Sequence, residues 1–87
     1  MPYTYIVECS DNSLYTGYTT NLSRRISQHN NGSGAKYTRG RTPVRLKYVE
    51  FHNSKGDAMS REYEIKQLST SKKKELLKDN CVVVVFN

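Results

Sequence analysis

Two β-prone runs at the start of the chain, set close together, constrain its fold more than any other feature. Tyr3, Tyr5, Val7 and Cys9 alternate with Thr4, Ile6 and Glu8, the period-two pattern of a strand with two unequal faces. Ser10-Asp11-Asn12-Ser13 is turn chemistry, and Leu14 to Tyr18 supplies a second short strand. The chain therefore opens as a hairpin. A lone hairpin is marginal in water, so the remainder of the 87 residues must extend the sheet and cover it.

The rest of the chain provides for this. Thr20-Asn21 offers N-cap chemistry for a helix reaching Asn30, and Asn30-Asn31-Gly32-Ser33-Gly34 ends it and opens a basic loop to Pro43. Val44 to Phe51 reads as a third strand, with Val44, Leu46 and Tyr48 on one parity and Arg45, Lys47, Val49 and Phe51 on the other. Ser54 with Asp57 three residues on resembles a capping box, starting a helix to about Leu68. Ser69-Thr70-Ser71 caps a third helix ending near Asp79. The order is ββαβαα. That makes an α/β chain of the α+β type, with a central three-stranded antiparallel sheet flanked by helices. A single domain is expected over residues 1–80, followed by an apolar β-prone tail over residues 81–87.

Composition enters through the core. Leu, Ile, Val and Phe number 18, close to the roughly 20% below which chains tend to stay disordered. Seven tyrosines make up the difference. Some tyrosines must therefore pack, and none is functional by default.

Charge is unevenly placed. The formal net charge is +6, yet no acidic residue occurs between Asp11 and Glu50. That stretch carries Arg24, Arg25, Lys36, Arg39, Arg41, Arg45 and Lys47, interleaved with Tyr15, Tyr18, Tyr37 and Tyr48. A one-signed block with aromatics fits the electrostatic footprint of a nucleic-acid-binding surface; a solvated basic face is the plainer reading.

Other classes are excluded or disfavoured. The longest apolar run, residues 82–86, falls far short of the roughly 18 residues of a membrane span, so no membrane partner is expected. The start lacks the charged and apolar segments of a signal peptide. Cys9 and Cys81 cannot make a disulfide framework or a zinc site alone. A cytoplasmic, reducing setting fits best.

Helical geometry marks polar residues on core-facing stripes. At about 100° per residue, Ile26 completes an apolar stripe with Leu22, and Arg25 and His29 lie on or beside it while Arg24 points away. Arg25 and His29, four residues apart, can aim at one point. A snorkelling arginine and a satisfied boundary histidine would look the same. In the second helix Glu62 falls within the apolar arc of Ala58 and Ile65, whereas Glu64 points outward. A carboxylate so placed is costly to bury unless paired or metal-bound. It either forms a structural ion pair, with Arg25 for example, or faces a cleft and binds a cation.

Tyr5 and Tyr15 lie on opposite arms of the hairpin. A two-residue loop at Asp11-Asn12 would set Tyr15 opposite Glu8 and away from Tyr5; a three-residue loop or a bulge would bring both to one face. Gly17 would permit close approach of a ligand. Ordinary strand packing also accounts for both tyrosines.

Tyr3-Thr4-Tyr5, Tyr15-Thr16-Gly17, Asn21-Leu22-Ser23-Arg24-Arg25, His29-Asn30, the basic segment 34–41 and Arg61-Glu62 together resemble the GIY-YIG nuclease superfamily. They look most like its short, single-domain branch, akin to the catalytic domain of structure-specific DNA nucleases. The resemblance spans residues 2–78 or so. Both tyrosines survive, although the first motif begins with Tyr-Thr; Tyr18 stands where several relatives carry lysine.

The resemblance implies a metal-dependent DNA endonuclease, acting at branched or damaged sites, with Mg2+ or Mn2+ as cofactor. It implies Tyr5 and Tyr15 as the motif tyrosines, one acting as base with Tyr5 preferred. Arg25 becomes the phosphate ligand, His29 its neighbour on the helix and Glu62 the metal ligand. Lys36, Tyr37, Arg39, Arg41 and Arg45 would hold flanking DNA. A non-catalytic nucleic-acid-binding module on the same fold is the alternative. The apolar tail, absent from the pattern, is expected either to pair with a protein partner or second copy, or to join its own sheet.

Overall fold

The computed structural model describes residues 2–79 and 82–84. Strands β1 (Tyr3–Glu8), β2 (Leu14–Thr19) and β3 (Arg45–Phe51) form an antiparallel sheet with β1 in the centre. Helices α1 (Leu22–Asn30), α2 (Lys55–Lys66) and α3 (Thr70–Asp79) complete the ββαβαα order. A short strand β4 (Val82–Val84) adds to the free edge of β3, in parallel. Within residues 82–84 the tail thus uses its own sheet rather than a partner's; Cys81 and residues 85–87 lie outside the described residues.

The hairpin connection settles the tyrosine parity. Glu8 pairs with Leu14 and Val7 with Tyr15, and Cys9 N–H donates to the Ser13 carbonyl at 2.8 Å. Residues 10–12 therefore make a three-residue turn. Its last member, Asn12, takes a left-handed φ of 68°, a conformation asparagine tolerates better than most side chains. The odd count puts Tyr5 and Tyr15 on the same face.

The sheet is apolar on both faces. On one, Tyr5, Val7, Cys9, Val44 and Val49 pack beneath Leu22 and Ile26 of α1. On the other, Ile6, Tyr48 and Ile65 pack with Leu68, Leu76 and Leu77, and Thr4 Oγ1 donates to the Ala58 carbonyl at 2.7 Å. The third strand departs from simple alternation. Ile6 pairs with Tyr48 but Val7 with Leu46, so the skipped Lys47 forms a bulge. Val44 and Tyr48, of one parity in the sequence, consequently face opposite sides; a bulge reverses side-chain direction along the strand.

Caps fix where α1 and α2 begin. The Asn21 side chain accepts from the Arg24 amide and that of Ser54 from the Asp57 amide, the first-turn donors that a helix leaves unsatisfied. At the far end of α1, Asn30 pairs with the backbone of Val44, accepting from its N–H at 2.6 Å and donating to its carbonyl at 3.2 Å. That bracket fixes the orientation of α1 over the sheet.

Candidate active site

The site grows from one buried hydroxyl. Tyr5 sits in the central strand and is 1% exposed, its ring over the Gly17 of the neighbouring strand. A Cβ at Gly17 would lie 2.5 Å from the Tyr5 hydroxyl. The room left by Gly17 is thus taken by Tyr5, not kept open for a ligand. From α1, fully buried His29 presents Nε2 at 2.8 Å to the same hydroxyl.

The basic loop closes over the other side of the imidazole. Thr38 Oγ1 lies 2.8 Å from His29 Nδ1 and donates to the Ala35 carbonyl at 3.0 Å. Gly34 is pressed against the ring so closely that a Cβ there would lie 2.5 Å from Nδ1. Thr38 is itself buried. Within the basic segment 34–41, neither Thr38 nor Gly34 is marked by the sequence as a partner of His29. The run of Asn and Gly at residues 30–34 signalled a turn, but not that it folds back on the helix it follows.

Around this pair stand the other expected residues. Tyr15, half-buried on β2, sets its ring edge-on to His29 at 5.4 Å. Arg25 lies one turn before His29 and donates to Gln28 Oε1 at 3.1 Å; among the described residues it has no carboxylate partner. Glu62 on α2 pairs through Oε2 with Lys66 at 3.2 Å, so the ion pair forms one turn along its own helix rather than with Arg25. Lys66 in turn lies 5.8 Å from the Tyr15 ring centre. Arg24 is exposed and Arg25 half-buried, Glu64 exposed and Glu62 half-buried, as the helical stripes predict.

Burial and charge set the protonation states. Loss of water around Tyr5 pushes its pKa up to about 12, opposed by the Arg25 guanidinium and reinforced by Tyr15 and Glu62. Burial, and then the positive charge of Arg25, hold His29 below the usual histidine range. Near neutral pH the pair is a neutral phenol hydrogen-bonded to a neutral imidazole. That arrangement can pass a proton between the two rings without a free phenolate.

The basic block is only partly free. Arg41 pairs with Asp11 at 3.1 Å, donates to the Tyr37 carbonyl and covers the Tyr37 ring at 4.2 Å. Arg45 and Lys47 lie 3.6 and 3.8 Å from Glu8. Sheet pairing thus brings acids from the hairpin to charges that look uncompensated in sequence. Arg24, Arg25, Lys36 and Arg39 have no acidic partner among the described residues. Tyr37 is 40% exposed and stacks on Tyr15, with ring centres 5.9 Å apart. A polar depression of about 270 Å³ lined by Tyr18, Asn21, Arg24, Arg25 and Gln28 adjoins the site beside α1.

A separate buried cluster escaped the sequence reading. Glu50, 1% exposed on β3, accepts from Tyr48, from Arg61 Nε at 2.9 and 3.0 Å, and pairs with His52 at 3.1 Å. Burial, together with Glu50 itself, pushes Tyr48 up to about 12. Because Arg61 immediately precedes Glu62, this anchor also sets the rotation of the turn of α2 that carries Glu62.

No group of three or more His, Cys, Asp or Glu able to cage a metal occurs among the described residues. Of the expected site residues, Glu62 is the one that offers a carboxylate. Its second oxygen is free of any ion pair among the described residues, which suits a hard cation that keeps most of its water. No helix among the described residues is long and apolar enough to cross a membrane.

Comparison with known proteins identifies the family. The GIY-YIG catalytic domain matches residues 1–75. A UPF0213 protein of Halobacterium salinarum is 58% identical over 76 residues, covering 87% of this chain and 99% of its own. One from Clostridium perfringens is 55% identical over 82 residues, 94% of this chain and 88% of the relative. The solution structure of a UPF0213 protein from Bacillus halodurans, 54% identical, superposes with a TM-score of 0.58 over 90% of this chain and 84% of that one. The match covers the three antiparallel strands, both tyrosines, α1 and Glu62, and the chain belongs to the GIY-YIG family of nuclease domains, alongside the short UPF0213 proteins.

Proposed function

We propose that this protein is a metal-dependent endonuclease that hydrolyses DNA phosphodiesters, with branched or damaged DNA as its substrate. The observation that carries this reading is the 2.8 Å Tyr5–His29 hydrogen bond, with Arg25 and Glu62 both acting electrostatically on the same hydroxyl. A phenol with a pKa of about 12 is ionised in roughly one molecule in 10⁵ at pH 7. A free Tyr5 phenolate is therefore a poor resting base. A concerted transfer avoids it.

In that transfer the attacking water gives its proton to the Tyr5 oxygen while the Tyr5 proton moves to His29 Nε2. The water oxygen forms the new P–O bond, the bond to the leaving 3′ oxygen breaks, and that oxygen takes a proton from solvent. His29 ends as an imidazolium and later returns its proton to solvent. His29 supplies the basicity and Tyr5 the shuttle. Arg25 holds the scissile phosphate through its planar fork, and Tyr15 keeps the imidazole edge covered. Glu62 would hold Mg2+ or Mn2+, which when bound stabilises negative charge on phosphoryl and leaving oxygens.

Lys36, Tyr37, Arg39 and Arg45 carry flanking backbone, and the depression between Arg24 and Tyr18 suits a neighbouring phosphate. A small reducing-compartment protein, cytoplasmic in location, accords with a buried free thiol at Cys9.

The test is a nicking assay on duplex, flap and four-way DNA with Mg2+ or Mn2+. Wild type should cleave, and Arg25→Ala and Glu62→Gln should each lose about 10²-fold or more while remaining folded. Binding without cleavage of any substrate in either metal would instead favour the non-catalytic module.

A further inference from the structure

We propose that Thr38, in the basic loop, is a positioning residue that fixes His29 in its Nδ1–H form and so keeps Nε2 open to the Tyr5 proton. The inference rests on the relay read above, but its geometry stands apart from it. A threonine hydroxyl has one hydrogen. Thr38 commits that hydrogen to the Ala35 carbonyl, which can only accept, at 3.0 Å. With the hydrogen so placed, its contact with His29 Nδ1 at 2.8 Å runs the other way, from ring N–H to hydroxyl oxygen.

A neutral imidazole carries one N–H. With it on Nδ1, Nε2 presents a lone pair, and the Tyr5 hydroxyl 2.8 Å away is the donor. The chain of donors runs in one direction from Tyr5 through His29 and Thr38 to Ala35. Without the threonine hydroxyl, the imidazole is free to protonate Nε2 instead and to donate to Tyr5. The relay would then point backwards.

The loop is held to the ring by a second, independent contact. A Cβ at Gly34 would stand 2.5 Å from His29 Nδ1 and 2.7 Å from its Cα, so only glycine lets the loop lie this close. Further along, Arg41 N–H donates to the Thr38 carbonyl at 3.0 Å, and the Arg41 carbonyl accepts from Ser10 N–H at 2.8 Å. The segment that presents Lys36, Tyr37 and Arg39 to solvent is the same one that sets the imidazole tautomer. Substrate binding and proton acceptance thus share one structural element.

Nitrogen-15 NMR of the labelled 87-residue chain at pH 7.5 reads the tautomer directly, from the two-bond couplings between the His29 ring nitrogens and carbon-bound protons. Wild type should give the Nδ1–H pattern. Thr38→Val, which keeps the shape and removes the hydroxyl, should lose it, and Thr38→Ser should restore it. In the nicking assay Thr38→Val should lower kcat about 10²-fold with KM changed less than about threefold, and Thr38→Ser should recover most of kcat.

A wild-type Nε2–H pattern overturns the proposal whether or not any variant folds. So does an unchanged Nδ1–H pattern in folded Thr38→Val. Loss of the Nδ1–H pattern in that variant with undiminished cleavage upholds the tautomer assignment but overturns the relay through His29.

Discussion

The Tyr5 hydroxyl meets His29 Nε2 at 2.8 Å in a space that Gly17 leaves open and that α1 closes from above. Central strand and first helix thereby contribute one hydrogen-bonded unit. Residues that act as a unit do not lose activity additively. Tyr5→Phe and His29→Gln should each lower kcat by about 10²–10⁴-fold, and the double variant little more than the worse single. Single-turnover cleavage measures all three, and multiplicative losses would show that the two side chains work separately.

The protonation states give the pH profile its sign. His29 must be neutral to accept a proton, and its pKa lies below the ordinary value of about 6.5. Cleavage should therefore fall only as pH drops below about 6.5. Because Tyr5 is held near 12, its ionisation should add no rising limb between pH 7 and 9; a tenfold gain per pH unit across that range would mean that a phenolate is the base. Folding shares the acid limb. The unfolded chain takes up a proton at residue 29 near 6.5 while the folded chain resists, so stability should decline as pH falls below that value. Thermal melts from pH 8 to 5 read this second effect.

Phosphate contacts by the loop should make DNA binding salt-dependent. With four to six phosphates neutralised, log affinity should fall with log salt at a slope of about −4 to −5. Arg39→Ala and Lys36→Ala, whose side chains have no acidic partner among the described residues, should each reduce the slope by about 1. Arg41→Ala should change it less, because Asp11 already engages that guanidinium. A wild-type slope near zero would remove the loop from DNA binding.

Arg61 is the counter-charge to a carboxylate that is 1% exposed. Arg61→Met should leave Glu50 with Tyr48 and His52 but no permanent cation, costing about 3–5 kcal/mol of stability. Chemical denaturation measures this. A loss below about 1 kcal/mol would mean that Tyr48 and His52 suffice. If the variant folds at low temperature, weaker metal-dependent cleavage should accompany the lost stability, because the rotation of α2 carries Glu62.

Local periodicity was enough to place the strands and helices to within a residue or two, because alternation and capping act over a few neighbours. The Asn21 and Ser54 caps sit where the sequence puts them. The stripe on α1 separated Arg25 and His29 from Arg24, and that on α2 separated Glu62 from Glu64, since a helix buries one face whatever it packs against. The pairing of Tyr5 with Tyr15 on one face required the length of the turn, which residue types left open between two and three.

What those patterns could not carry were relations between segments far apart in the chain. The bulge at Lys47 depends on how β3 meets β1, and it sends Val44 and Tyr48 to opposite faces. Asp11 and Glu8 reach Arg41, Arg45 and Lys47 only once the hairpin lies beside β3 and the loop. Thr38 is an ordinary loop hydroxyl until the loop folds back against His29, nine positions earlier. Periodicity reports which face of an element is buried; which atoms meet there depends on packing among all the elements, and here that packing sets a hydroxyl against each nitrogen of the buried imidazole.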